Sequence, residues 1–150
     1  MANLKYFVGP EATILGHKVS APIGLGAVPR MKRFHFDGEI ACAQAAKEFG
    51  VVFTVDAART SIPLEEILAE SKGGLKIFRL CPLMSAESLK KVTSIISEYT
   101  DVIGTVLDFN LVGKIDSQSG ADITFKPPQT YWTLADIGKI KNATKKPVIV

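Results

Sequence analysis

The sequence predicts a parallel α/β fold, and two observations carry that prediction. The first is a set of five apolar runs rich in β-branched residues: VSAPIGLGA (19–27), VVFTV (51–55), LKIFRL (75–80), VIGTVLDF (102–109) and PVIV (147–150). Each has the length and composition of a strand buried on both faces. The second is that helical patterns lie between them, and strands alternating with helices require a parallel sheet joined by right-handed crossovers. The reading is five strands and four helices.

Each helix has a boundary signal. Asp37 is a candidate cap for a helix over 38–49, and Ser61 with Pro63 and two glutamates opens a second that Gly73-Gly74 closes. In SAESLKKVTSIISEY (85–99), Ser85 is placed to cap, while Leu89, Val92, Ile95, Ile96 and Tyr99 form one apolar, core-facing stripe. Thr133 and Asp136 have the spacing of a capping box before the last helix. Residues 110–132 break the rhythm, being polar with Gly and two prolines, and read as a long loop, either a lid or an insertion.

Composition bounds the function. The 150 residues, 47% hydrophobic, are enough for one domain with a sizeable core. A net charge of +3 with no basic run argues against a nucleic-acid arm or a polybasic membrane patch, and leaves anionic small molecules as partners. Cys42 and Cys81 are too few for a disulfide framework and lie in no metal-ligand spacing, so no metal site is expected. Without a long apolar stretch or a signal-peptide core, the expectation is a soluble intracellular protein.

Arg30, Lys32, Arg33 and His35 follow the first apolar run. In a parallel α/β protein that position, beyond the carboxyl end of a strand, is a site lip. Solvated surface is the alternative for these cations. Cys81 reads as a small buried residue, since no neighbouring histidine activates it.

Six segments taken in order resemble the FMN-dependent 2-hydroxy-acid oxidases and dehydrogenases, the group of glycolate and lactate oxidases. They are ATILGHKVSAPIGLGA, HFDGEIACAQAAKEFG, TSIPLEEILAE, GGLKIFRL, TVLDFNLVGK and YWTLADIGKIKNATKKPVIV. The resemblance implies a (β/α)₈ barrel, of which this chain is the amino-terminal half: one incomplete domain over 1–150 with about five strands and four helices. An open, doubly wound parallel sheet is the second choice. It also implies FMN as cofactor and a small 2-hydroxy acid as substrate, oxidised to the 2-oxo acid.

Carried over residue by residue, the resemblance places Gly26, Ala27 and Val28 where the backbone runs under the flavin ring. Arg79 and Asp108 become cofactor-side residues and Lys114 a substrate-side cation. Several positions depart from the pattern. Val28-Pro29-Arg30-Met31 replaces a Thr-Ala-Met-Gln type of segment, and Thr54 to Arg59 lack the expected serines. Arg79-Leu80-Cys81 stands for Gln-x-Tyr, and Phe109 stands for a flavin-contacting threonine. Asp56 near a flavin would oppose the charge that builds on reduction, unless it pairs with Arg59. Arg79 either donates to the flavin or pairs with Asp108 or Asp56.

The family's histidine base, arginine clamp and lysine correspond to positions beyond Val150, so no catalytic residue is assigned here, and neither His17 nor His35 has the base's position. Two functions follow as expectations: part of a flavin-dependent oxidoreductase, inactive as this chain alone, or a degenerate non-enzymatic relative acting as a binding or assembly partner. A third is a barrel-group protein holding a phosphorylated ligand with Arg30, Lys32 and Arg79. Open strand edges imply self-association or pairing with a related chain. Relatives imply a peroxisomal or cytoplasmic location, with no targeting signal in the sequence.

Overall fold

A computed structural model describes residues 9–82, 84–108 and 132–150. A short antiparallel hairpin, β1 (Ala12–Ile14) and β2 (His17–Val19), comes first. Its turn places Leu15 at φ 49° and Gly16 at φ 84°. Two successive left-handed residues twist a two-residue turn in the sense the flanking strands need. The hairpin was not anticipated; Gly16 between two short β-branched runs is the signal that marks it.

Five parallel strands form the sheet: β3 (Gly24–Leu25), β4 (Val52–Asp56), β5 (Lys76–Leu80), β6 (Val102–Leu107) and β7 (Val148–Ile149), in that spatial order. The helices between them are α1 (Gly38–Phe49), α2 (Leu64–Glu70), α3 (Ala86–Glu98) and α4 (Leu134–Thr144). The run expected over 19–27 is therefore divided. Val19 belongs to the hairpin and only Gly24–Leu25 enters the sheet, with Pro22 between them.

The order decides between the two expected architectures. In a doubly wound sheet the winding reverses at a switch point and helices cover both faces. Here every crossover advances one strand in the same direction. Phe53, Val55, Phe78, Leu80 and Leu107 face the helices and pack with Ala43, Ile67, Ile96 and Ile140 in one core. The opposite face carries Val52, Ile77 and Ile103, which pack against Ala12, Ile14 and Leu15 of the hairpin region. One helical layer outside and a hairpin plugging the amino-terminal end inside make this an arc of a barrel. The doubly wound alternative is thereby corrected.

Boundary chemistry holds at α3 and α4 and fails at the other two. The Ser85 hydroxyl accepts from the Ser88 amide at 3.1 Å. Thr133 and Asp136 form the full reciprocal box. Asp37 makes no side-chain cap; its carboxylate lies 3.8 Å from His35 Nδ1 instead. Ser61 does not cap α2 either, because Pro63 occupies the cap position and the Ser61 hydroxyl accepts from the Lys32 amide at 3.2 Å. The Ser61 hydroxyl is taken by a neighbouring loop, whereas at Asp37 it is the backbone amide that is engaged, donating to His35 Nδ1 at 3.3 Å. The loop expected over 110–132 lies outside the described residues except for Trp132, which is buried in the main core. A large core side chain such as Phe53 or Phe78, each under 2% exposed, contributes about 1.5–3 kcal/mol by its burial.

Candidate cofactor site

Strand register brings four charged side chains together at the carboxyl ends of β4, β5 and β6. Asp56 pairs with Arg79 across the β4–β5 ladder, and Asp108 follows Leu107 at the end of β6. All three lie on the sheet face away from the helices, because side chains alternate along each strand. Arg79 Nη1 donates to Asp56 Oδ2 at 2.7 Å, and Arg79 Nη2 donates to Asp108 Oδ2. From the other side, Arg59 donates to the same Asp56 oxygen through Nε at 3.2 Å and Nη2 at 2.9 Å. The Ala58 amide donates to Oδ1 at 3.2 Å.

The result is an alternating row, Arg59–Asp56–Arg79–Asp108, with two positive and two negative charges. Asp56 is 1% exposed, a position that a carboxylate holds only when paired and hydrogen-bonded. The sequence left Arg79 to donate to a flavin or to pair with either acid, and it pairs with both. The expected conflict between Asp56 and a reduced flavin is altered in the same way. Asp56 lies between two guanidinium groups, so its charge is locally compensated.

Gly26, Ala27 and Val28 leave the end of β3 beside this row. Gly26 and Val28 are exposed and Ala27 is half-buried. A methyl group built on Gly26 would meet nothing within 4 Å, so the space above the backbone is open. The amides of Ala27 and Val28 have no hydrogen-bond partner among the described residues. Arg30, Lys32, Arg33 and His35 are exposed on the next loop. Phe34 and Phe36, 79% and 78% exposed, stand among them. Lys114 and Phe109 lie outside the described residues.

Glu39 was missed by the sequence reading. It is 1% exposed, and its Oε1 accepts from the Ser61 amide at 2.8 Å and the Met31 amide at 3.2 Å, tying together the loops that follow β3 and β4. Its Oε2 is buried without a partner among the described residues. An acid in the first turn of an alanine-rich helix was the available signal. Burial and the Glu39 charge push the Cys42 thiol up. Cys81 is buried, as expected. Among the described residues no group of three acids, histidines or cysteines is placed to hold a metal.

A one-directional parallel arc with an open face at its strand ends defines the barrel class of α/β proteins, whose ligands sit at that end. The profile of the FMN-dependent dehydrogenase family matches residues 8–148, and the chain belongs to that family. Glycolate oxidase 1 of Oryza sativa subsp. indica is 39% identical over 70 residues, covering 47% of this chain and 18% of the oxidase. A 4-hydroxymandelate oxidase of Amycolatopsis orientalis is 37% identical over 73 residues, covering 49% of this chain and 20% of that enzyme.

Among solved structures, mandelate oxidase with benzoyl-formic acid superposes with a TM-score of 0.71 at 26% identity, over 94% of this chain and 44% of that one. A Pediococcus acidilactici lactate oxidase shows the fold alone, with a TM-score of 0.72 at 16% identity over 93% of this chain and 43% of that one. The chain thus spans under half the length of these solved relatives. FMN is the cofactor the family implies. The open backbone at Gly26–Val28 and the part-exposed Arg79 fit a flat ring with carbonyl acceptors, and the compensated Asp56 removes the charge conflict. No helix among the described residues is long and apolar enough to cross a membrane.

Proposed function

We propose that this chain supplies the early-strand side of a flavin site in an oxidoreductase that converts a small 2-hydroxy acid to a 2-oxo acid. The observation that carries the reading is the open, unpartnered backbone of Ala27 and Val28 at the end of β3, in line with Asp56, Arg79 and Asp108 at the ends of the next three strands, in a chain of this family. FMN, when bound, supplies the two-electron acceptor for that oxidation.

In this reading the chain's residues bind and orient. Gly26, Ala27 and Val28 offer backbone donors and a surface low enough for close approach. Arg79, held in place by Asp56 and Asp108, is the proposed hydrogen-bond donor to a flavin carbonyl, with its charge balanced inside the row. Lys114 is the proposed substrate-side cation, as a point charge and not a bidentate fork. No described residue of this chain is assigned the proton abstraction. A peroxisomal or cytoplasmic location belongs to the same proposal, by analogy with the relatives.

A second reading is a non-enzymatic relative that pairs with itself or a related chain. The paired state of Asp56 and Arg79 supports it, since both side chains are engaged with each other where relatives present flavin contacts. Flavin fluorescence separates the two. Quenching on titration of FMN into the protein, lost in Gly26→Leu with an unchanged melting curve, is the expected result, because the fold has room for that side chain and a ring over it does not. Absence of quenching in the unmodified protein would transfer the conclusion to the second reading.

A further inference from the structure

The amino-terminal end of the sheet, opposite the row that contains Asp56 and Arg79, holds a cavity of about 280 Å³ between β2, the end of α1 and the loop that leads into β5. Val51 and Leu75, the residues just before β4 and β5, help to line it, which fixes its place at that end of the strands. Its charged and titratable lining is His17, Lys18 and Lys47, and no acidic side chain borders it. The ion pairs of the described residues all engage other groups, so Lys18 and Lys47 have no counter-charge among those residues.

Lys47 is held at this cavity by the loop beside it. A Cβ added to Gly74 would stand 2.7 Å from Lys47 Cβ and 3.3 Å from its Cγ, so the lysine stem packs against a backbone that only glycine leaves bare. Its charge reaches the interior: burial lowers the pKa of Lys76 most, Asp101 opposes that shift, and the Lys47 charge adds to it. Asp101 is already committed, because its Oδ2 accepts from Lys76 Nζ and from the Gly73 amide, each at 3.1 Å. The carboxyl end of α1, which as a bare helix end disfavours an anion, is masked by donors. The Gly50 and Val51 amides donate to the Lys47 and Ala46 carbonyls at 3.2 and 2.9 Å, and the Ser20 hydroxyl donates to the Phe49 carbonyl.

We propose that this cavity is an anion site that takes a phosphate group, with Lys18 and Lys47 supplying the positive charge and His17 a ring N–H donor. Two unpaired lysines from separate segments match a dianion better than a single carboxylate, and lysine holds phosphate as a point charge without needing a fork. The volume leaves room for a few carbon atoms beside the phosphate. The site shares no residue with Gly26–Val28 or with the charged row, and does not depend on flavin binding.

Inorganic phosphate and glycerol 3-phosphate are the probes, titrated separately into the intact ¹⁵N-labelled protein at constant ionic strength and followed by amide shifts. Shifts are expected at residues 17–18, 47–51 and 73–75, and Lys47→Gln and Lys18→Gln should each weaken binding by about fivefold. Both lysines are exposed, so the melting curves should not move, and each variant reads the site independently of the other. Lys90→Gln, an exposed lysine on α3, should leave the affinity as it was. Tighter glycerol 3-phosphate would assign the phosphate to a small organic molecule, and tighter inorganic phosphate to the free anion. Acetate binding as well as phosphate, unchanged affinity in both lysine variants, or shifts centred on residues 30–35 would overturn the assignment.

Discussion

Arg79 and Asp56 face each other across neighbouring parallel strands, 2.7 Å apart from Nη1 to Oδ2, with the aspartate 1% exposed and the arginine 20%. The pair is held by register and not by sequence proximity, and it anchors the charged row in which Asp108 and Arg59 are the outer members.

Removing the shared acid should therefore cost more than weakening the arginine that bridges it to Asp108. Asp56→Ala strands Arg79 and Arg59 near each other without their common acceptor, and a loss of about 3 kcal/mol is expected. Arg79→Lys, which cannot fork to Asp56 and Asp108 together, should cost about 1–2 kcal/mol. Urea unfolding of both variants is the measurement, with the midpoint falling at constant slope. A neutral Asp56→Ala would mean that the row does not hold the strand ends.

Lys76 is a buried cation of a different kind. It is 1% exposed, and its Nζ donates to the Ser71 carbonyl at 2.9 Å, the Gly74 carbonyl at 2.7 Å and Asp101 Oδ2 at 3.1 Å. Burial pulls its pKa below 10.5, with Asp101 opposing. Lys76→Met keeps the length of the stem but takes the Nζ donor from the Gly74 carbonyl and the counter-charge from Asp101. The Ser71 carbonyl and Asp101 keep the Gly74 and Gly73 amides, so a loss of about 2–3 kcal/mol is expected in the same unfolding experiment.

Gly50 ends α1 at φ 66°, and a methyl group there would stand 2.6 Å from Ser20 Oγ. Gly50→Ala combines left-handed strain with that contact, for an expected loss of about 1–2 kcal/mol. Adding Ser20→Gly relieves the contact but not the strain. Partial recovery of the melting temperature in the double variant is the expected outcome, and full recovery would show that the backbone conformation costs nothing here.

Asp136 makes the one pH-dependent prediction. Hydrogen bonds from Thr133 hold its carboxyl below the ordinary value of 3.8, with Lys139 contributing. A carboxyl depressed in the folded state adds stability above its unfolded pKa and loses it as pH falls through the folded value. The start of α4 should accordingly fray only below about pH 4, the ordinary range for a carboxylate. Carboxyl ¹³C titration should give a midpoint below 3.8 that rises toward it in Thr133→Val.

Local chemistry was legible where it had no competitor. Ser85 and the Thr133–Asp136 box cap as their spacing says, because the donors they serve lie within three residues. Asp37 and Ser61 have equally good spacing but sit on loops at the crowded strand ends, where the Asp37 backbone is already helical with its amide on His35 Nδ1 and the Ser61 hydroxyl is taken by the Lys32 amide. Val19 reads as the start of a strand in the sheet, yet a turn at Leu15-Gly16 takes it into the hairpin. Glu39 reads as an ordinary first-turn acid until two loops fold over it.

By itself, the sequence determined the alternation of strands and helices and the apolar stripe of α3, since each follows from spacing within a dozen or so residues, and six segments in order along the chain carried the resemblance to the family. Tertiary structure decided the sequential strand order, and with it the choice of barrel arc over doubly wound sheet. It also decided the partners of Arg79, which lie 23 and 29 residues away at Asp56 and Asp108. Strand register sets those meetings, and register is fixed only when the helix-facing residues of several strands enter one core together.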